Sequence, residues 1–95
     1  MSVQTIMGAT VTVEVTDTTA ATAINAKVPL VRVHNSGPNT AYIKFGNSDA
    51  EAATTDFPVP FGTTVTLDKG KAGYVATVAA ATHTATVYFS PVSGN

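Results

Sequence analysis

Two histidines are the side chains in this sequence best suited to metal binding or to general acid–base chemistry. His34 and His83 lie far apart and form neither an HxH nor an HExxH spacing. A zinc site needs three or four correctly spaced ligands, and the chain has no cysteine to supply the others. The pattern therefore favours surface or interface imidazoles, and we expect no metal site.

An acidic stretch is the next candidate for ion binding. Asp49, Glu51 and Asp56 share one segment between two apolar runs, and carboxylate oxygens are the ligands that calcium prefers. Their spacing does not match an EF-hand loop, and the intervening alanines supply only backbone carbonyls. We interpret the stretch as a solvated acidic loop.

The remaining residue types do not assemble into a catalytic motif. A glycosidase needs two carboxylates about 5–10 Å apart in a cleft, and a chain with so few acids offers no clear pair. The serines lack a GxSxG elbow, and no GxxxxGK[ST] phosphate loop occurs. We predict no catalytic residue, no cofactor and no enzymatic activity.

Charged side chains are sparse and are absent from the last quarter of the chain. They make up 12% of the 95 residues, against about 25% in an average soluble domain. No Asp, Glu, Lys or Arg follows Lys71, and an edge strand without charges would invite aggregation, so we expect this end to be paired inside a sheet or covered by another subunit. Weakly charged surfaces are often covered by a partner. The composition predicts association, against the alternative of a monomer kept soluble by Thr, Ser and Asn.

Composition also bears on location and partner class. The five basic residues are spread along a chain of net charge −1, so no basic stripe suited to nucleic acid is visible. No apolar run approaches the roughly 20 residues that span a bilayer. The N-terminal MSVQTIMGATVTV lacks the regions of a signal peptide. We expect no nucleic-acid partner, no membrane partner, and synthesis in a cytoplasm.

The elements that would position any site are short strands. Two alternating runs flank a loop in VRVHNSGPNTAYIKFG, residues 31–46, which predicts a β-hairpin. A five-residue loop pairs Val33 with Ile43 and His34 with Tyr42, whereas a three-residue loop pairs Arg32 with Tyr42. The Gly-Pro within the loop favours the longer form. In both forms Val33 and Ile43 face inward.

Further strands are predicted over residues 9–16, 63–68, 73–80 and 83–90, with an extended segment near 20–26. Pro58 and Pro60 exclude a central strand between them, and Pro91 is expected to end the last strand. Phe57, Val59 and Phe61 could close one end of the core. Residues 1–95 are predicted to form a single all-β domain of six to eight short strands, with residues 1–8 as a possible terminal arm. The architecture expected is a compact antiparallel β-sandwich, jelly-roll-like, or a small barrel.

Outward-facing aromatic and charged residues are the candidates for binding. Arg32, His34 and Tyr42 would share the outer face of the hairpin. A second candidate is Tyr74, or Tyr88 beside Thr86 on the threonine face of the last strand. Tyr and Arg are favoured at the centres of interfaces. The interface candidates are Arg32, His34, Tyr42, Thr86 and Tyr88, against the alternative of half-exposed side chains with no partner.

The run VRVHNSGPNTAYIKFG, followed by a Thr-rich loop and then DFPVPFG, resembles a pattern found in small phage virion proteins. That pattern reads VRV-N-(S/T)-G-x-NTAY-(V/I)-KFG, a Thr-rich loop, and (D)-x-P-(V/I)-P-x-G before a strand. The C-terminal ATHTATVYFSPVSG is similar to the closing GTATLYVTPGEG-type strand of the same group. The match covers roughly residues 28–94, and the first 27 residues match nothing in the pattern.

The resemblance implies a capsid decoration, or cement, protein on the surface of a virion. Such a protein binds the major capsid protein on the outside of an assembled shell and stabilises it. It also implies a homo-oligomer, and a homotrimer would suit threefold sites. The alternative within the same group is a tail or connector component, or a module for adsorption to a cell surface. In decoration proteins a terminal arm often contacts the capsid.

Overall fold

Short alternating runs of apolar and polar residues form strands throughout the chain. The computed structural model describes residues 5–93, and within them every regular element is a strand. Eight strands have three or more residues, and a ninth has two. The strands are β1 Thr5–Ile6, β2 Val11–Val15, β3 Ala20–Ala23, β4 Leu30–Pro38, β5 Ala41–Gly46, β6 Phe57–Val59, β7 Thr64–Asp68, β8 Tyr74–Ala79 and β9 Ala85–Ser93. Residues 5–93 contain no helix long and apolar enough to cross a bilayer.

The strands form two antiparallel sheets. In the five-stranded sheet β9 lies between β4 and the β1 and β2 edge, and β7 lies outside β4. The four-stranded sheet has the order β3-β8-β5-β6. The strands pair as in one long hairpin, in which β2 pairs with β9, β3 with β8, β4 with β7 and β5 with β6. This hairpin is rolled up, so that β9 also pairs with β4 and β8 also pairs with β5. This is the topology of a jelly roll, so the prediction of an antiparallel β-sandwich is confirmed.

The core lies between the two sheets and is built from small branched side chains. One face of each strand points inward because successive side chains alternate between faces. The fully enclosed residues include Val33 and Phe89 from one sheet and Ile43 and Val75 from the other. Valine and isoleucine suit this position because their branched side chains pack well on a pleated surface.

The predicted hairpin of residues 31–46 is wrong, although both of its arms are strands. β4 pairs with β7 and β9, whereas β5 pairs with β6 and β8. The short corner at Asn39 and Thr40 carries the chain from one sheet to the other. We call this connection between strands of different sheets an arch. A hairpin and an arch have the same alternation of apolar and polar residues, because in both the apolar face of each strand points towards one core. None of the pairs expected from either loop length is formed.

The corner changes which residues are cross-strand neighbours. Val33 lies opposite Val65 and Phe89 rather than Ile43. Ile43 lies opposite Thr77 and Phe57. The inward orientation predicted for Val33 and Ile43 is nevertheless confirmed, since both are buried.

One prediction involving proline needs correction. The last strand continues through Pro91 to Ser93, with Pro91 opposite Val31. Its carbonyl oxygen accepts a hydrogen bond from the Met7 amide at 2.7 Å. In an antiparallel sheet the N and O atoms of one residue point towards the same neighbouring strand. The nitrogen of Pro91, which carries no hydrogen, therefore points towards the break between β1 and β2, where no ladder hydrogen bond is needed.

The connection after β5 contains one short edge strand. Val59 is completely buried, as expected, but Phe57 and Phe61 are 46% and 64% exposed and do not close the core. Pro58 lies within β6, an edge strand of three residues, which agrees with its exclusion from a central strand. Residues 60–63 then cross from the four-stranded sheet to the five-stranded one.

The predicted terminal arm is only partly described. Residues 1–4 lie outside the described range. Thr5 and Ile6 form β1, which pairs with Ser93 and Val92 at the end of β9. This part of the segment is therefore a sheet edge in the structure.

Candidate interaction surface

The outer surface of the five-stranded sheet carries most of the candidate residues. Strands β2, β9, β4 and β7 lie side by side there, and alternation turns their polar residues outward. We call this surface the hydroxyl face, because seven of its ten residues carry an aliphatic or phenolic hydroxyl. It comprises Thr10, Thr12, Glu14, Arg32, His34, Thr64, Thr66, Thr86, Tyr88 and Ser90.

An aromatic pair lies at the centre of the hydroxyl face. His34 and Tyr88 are cross-strand partners, and their rings stack with centroids 6.2 Å apart and an interplanar angle of 23°. On the other side of β4, His34 Nδ1 lies 2.7 Å from Thr64 Oγ1, at hydrogen-bond distance. Both rings are half-buried. The hydrogen bond and the stack hold the imidazole against the sheet, so the two rings present a pre-formed platform.

Hydrogen bonds also fix the hydroxyl side chains around this aromatic pair. Thr10 Oγ1 and Ser90 Oγ lie 2.8 Å apart. The Thr86 hydroxyl donates to Glu14 Oε1 at 3.0 Å, and Ser36, at the end of the face, donates to the Thr86 carbonyl at 3.2 Å. Side chains that already have their partners lose little rotamer freedom when another surface covers them.

Charge on the hydroxyl face is limited to two residues of opposite sign, and Asp68 at the end of β7 adds a third charge at its margin. Glu14 lies on edge strand β2, and Arg32 is half-buried on β4, opposite Ser90 and Thr66. Covering such a surface removes few charges from water, so the desolvation cost of binding is low. The arrangement can bind a flat, polar partner.

The structure brings together four of the five predicted interface residues. Arg32, His34, Thr86 and Tyr88 lie on the hydroxyl face on adjacent strands β4 and β9. Tyr42 does not join them, which corrects the predicted grouping of Arg32, His34 and Tyr42. The physical reason is the arch between β4 and β5, which places outward residues of the two strands on opposite surfaces of the sandwich.

Tyr42 lies instead on the outside of the four-stranded sheet. It packs beside a small cluster of Ala52, Ala76 and Val78, where the loop after β5 folds back over the sheet. It also lines an open cleft of about 250 Å³ at the corner of the sandwich. Phe61, His83 and Asn39 line the same cleft, so the structure gathers three aromatic rings that are distant in the sequence.

The acidic loop has a structural role of its own. Asp56 Oδ2 accepts a hydrogen bond from the Ala53 amide at 2.7 Å, and Asn47 Oδ1 accepts one from the Asp49 amide at 2.9 Å. The Ala52 amide donates to Thr19 Oγ1 at 2.8 Å, which ties the loop to β3. Within residues 5–93 no three His, Cys, Asp or Glu side chains are grouped closely enough to hold a metal ion.

Asn35 is the residue that the sequence pattern did not single out. It is fully buried at the arch, where its Nδ2 donates to the carbonyl oxygens of Asn39 and Val59 and its Oδ1 accepts from the Gly37 amide, all at 2.7 Å. Its side chain joins the end of β4 to the four-stranded sheet. An Asn on the inward face of an otherwise apolar alternation was the available signal, since a buried amide needs partners.

One ionisable group outside the hydroxyl face has a shifted pKa. Lys69 is buried in the turn after β7, and its Nζ donates to the Ala72 carbonyl at 2.8 Å. Burial lowers the pKa of Lys69, and the nearby Asp68 carboxylate opposes this effect in part.

No protein-family model, curated protein or solved structure was found to match this chain.

Proposed function

We propose that this chain is a structural protein of a phage virion, most simply a capsid decoration protein that binds the outside of the shell. The hydroxyl face is the surface that we assign to the major capsid protein. The observation that carries the proposal is the ordered Tyr88–His34 platform among hydrogen-bonded hydroxyls, on a face with two charges and a third, Asp68, at its margin. Each copy would then add a small amount of buried surface to the shell, and many copies would raise its resistance to rupture.

The sequence and the fold support this proposal from two directions. The motif of residues 31–46 and the closing strand resemble those of small virion proteins. The jelly roll is an architecture that viral capsid proteins use, along with lectin domains and others. A fold alone does not determine a function, so the assignment depends on the surface and on the resemblance together.

The test is the copy number of the protein in purified virions, measured by quantitative mass spectrometry against the major capsid protein. A ratio near one copy per capsid subunit, or a fixed simple fraction of it, is the expected result. A handful of copies would favour a tail or vertex location, and absence from the particle would overturn the structural role.

A second measurement addresses the cementing action. Particles that lack the protein should rupture at a lower temperature than complete particles, followed by release of packaged DNA on a heating ramp. Adding the purified protein back should restore the higher temperature. Equal rupture temperatures with and without the protein would count against stabilisation of the shell.

The Tyr42 cleft favours one alternative, an adsorption module. Tyr42, Phe61 and His83 line the cleft together with Asn39, and aromatic rings beside an amide are a combination that suits a sugar of a cell-surface glycan. Under this alternative, Tyr42→Ala abolishes adsorption of the phage to its host, while Tyr74→Ala, whose ring lies outside the cleft, leaves it intact. Unchanged adsorption by the Tyr42 variant would remove the alternative.

A further inference from the structure

The sandwich is open along one side, at the free edge of β7. β7 is the last strand of the five-stranded sheet, and the facing edge strand β6 spans only three residues. Val65 and Leu67 point towards the core but remain only half-buried. The opening, about 350 Å³, is lined by Phe45, Phe57 and other residues of both sheets. Apolar side chains of the core therefore reach solvent here.

Two hydrogen bonds define which backbone groups of β7 face this opening. The Asn35 amide donates to the Thr63 carbonyl, and the Lys69 amide donates to the Pro29 carbonyl. Odd-numbered residues between them therefore direct their N–H and C=O groups towards β4. In an antiparallel sheet these groups alternate sides along the strand, so the backbone of Thr64 and Asp68 is directed away from β4, towards the open edge.

β7 has few of the features with which edge strands usually avoid pairing, and its one charge is Asp68 at its end. Its sequence TVTLD contains no lysine, proline or inward-pointing charge, and its pairing with β4 is regular over all five residues. Such strands are templates for a further strand. The neighbouring edge strand β6 is different, because Pro58 lies within it and Pro60 follows it.

We propose that β7 pairs antiparallel with β7 of a second copy of this chain, about a twofold axis at Thr66. The occupant is a second copy because TVTLD is complementary to its own reverse. In this register Val65 lies opposite Leu67 of the second copy, apolar against apolar. Thr64 lies opposite Asp68 of the second copy, so no like charges oppose each other.

The exposed phenylalanines agree with a twofold arrangement. Phe57 lies on the opening beside Leu67 and Asp68, whereas Phe61 lies towards the other end, beside Asn39 and Thr40. The two copies of β7 run in opposite directions across a twofold axis at Thr66. Phe57 of each copy therefore approaches the end of β7 near which Phe61 of the other copy lies. The contact is isologous and closes as a dimer, which differs from the homotrimer implied by the resemblance. It does not depend on the proposed role in a virion.

A single cysteine tests the register, because the chain has none of its own. At the twofold axis the Cα atoms of residue 66 in the two copies would lie about 5.5 Å apart, within the range of roughly 4.4–6.8 Å that a disulfide needs. We expect the wild-type protein to sediment as a dimer and Thr66→Cys to form a disulfide-linked dimer under mild oxidation. The control Thr12→Cys, on the hydroxyl face, should remain unlinked.

A proline variant tests the backbone pairing. The N–H of residue 66 is directed away from β4, so Thr66→Pro leaves the ladder to β4 intact and blocks the added strand. We expect Thr66→Pro to sediment as a monomer with the circular dichroism spectrum of the wild type, and Thr66→Val to remain a dimer. If the proline variant does not fold, the cysteine result decides.

Three outcomes would overturn the proposal. They are a wild-type protein that is monomeric up to millimolar concentration, a folded Thr66→Pro variant that is still dimeric, and a wild-type dimer in which Thr66→Cys cross-links no faster than Thr12→Cys. Copy number in virions is unaffected by any of these results, so failure of this proposal is distinct from failure of the proposed function.

Discussion

The ring of Phe61 lies against the backbone of Gly37, in the space that a side chain at residue 37 would occupy. A Cβ atom added there would lie 2.6 Å from Phe61 Cε1 and closer still to Cδ1. Gly37 also has a φ of +92°, a conformation that residues with a side chain rarely adopt. Two independent requirements therefore select glycine at the arch between the sheets.

Gly37→Ala should lower the free energy of unfolding by about 1–3 kcal/mol. The positive φ accounts for that range, and the approach of Phe61 adds to it unless this exposed ring moves aside. Urea denaturation followed by circular dichroism measures the change. In a Phe61→Ala background the loss should become smaller but should persist, because the φ requirement remains. A loss below about 0.5 kcal/mol in both backgrounds would contradict the argument.

Asn35→Ala should destabilise the protein by about 3 kcal/mol or more, since it removes the side-chain partner of three backbone groups, two of them in buried hydrogen bonds. Asn35→Asp is the matched variant. Its carboxylate can still accept from the Gly37 amide but cannot donate to the carbonyls of Asn39 and Val59, so it too should be unstable. The measurement is the denaturant midpoint of each variant. An aspartate variant as stable as the wild type would show that the two donated bonds contribute little.

The lowered pKa of Lys69 predicts how stability varies at alkaline pH. Below its ordinary value of 10.5 the unfolded chain binds a proton more readily than the folded chain does. The contribution of Lys69 to the free energy of unfolding should therefore rise with pH, between the pKa of Lys69 in the folded protein and about 10.5. Lys69→Met lacks the titration, so the difference in unfolding free energy, wild type minus variant, should increase from pH 7 towards pH 10. A difference that stays constant, or falls, would contradict the assigned direction.

Tyr88→Ser should separate binding from stability on the hydroxyl face. The stack with His34 is half-exposed, so its loss should cost about 1 kcal/mol or less of stability. If the face binds the shell, a central aromatic should contribute at least about 2 kcal/mol, or about 30-fold in affinity. Binding of purified protein to stripped particles measures the effect. Tyr74→Ser, on the other sheet, is the control, and equal binding by the two variants would argue for a different face.

Strand positions and inward faces were predictable because alternation depends only on which side of a strand is buried. Val13, Val31 and Val87, for example, are buried as their alternation predicts. The partner of each strand was not predictable in this way. β4 and β5 are adjacent in sequence and share one core, which are also the properties of a hairpin, and the deciding contacts come from β8 and β9 much later in the chain.

The candidate surface was predictable in part for the same reason. The outward orientation of Arg32, His34, Thr86 and Tyr88 follows from local alternation. Their position on one face depends on the pairing of β4 with β9, which no local pattern contains. Tyr42 was misplaced with Arg32 and His34 by the hairpin interpretation, and its cleft with Phe61 and His83 depends on loops that only the complete roll brings together.

The central position of β9 has a consequence for synthesis. Among the strands of residues 5–93, β2 pairs only with β9, and the Thr10–Ser90 contact joins residues 80 positions apart. At about 5–20 residues per second on the ribosome, β2 waits about 4–16 s for that partner to be made. During this time its valines are exposed on a nascent chain, where like segments on neighbouring ribosomes could pair with it. Glu14 is the charge within β2, and a charge at such a position disfavours pairing between like segments.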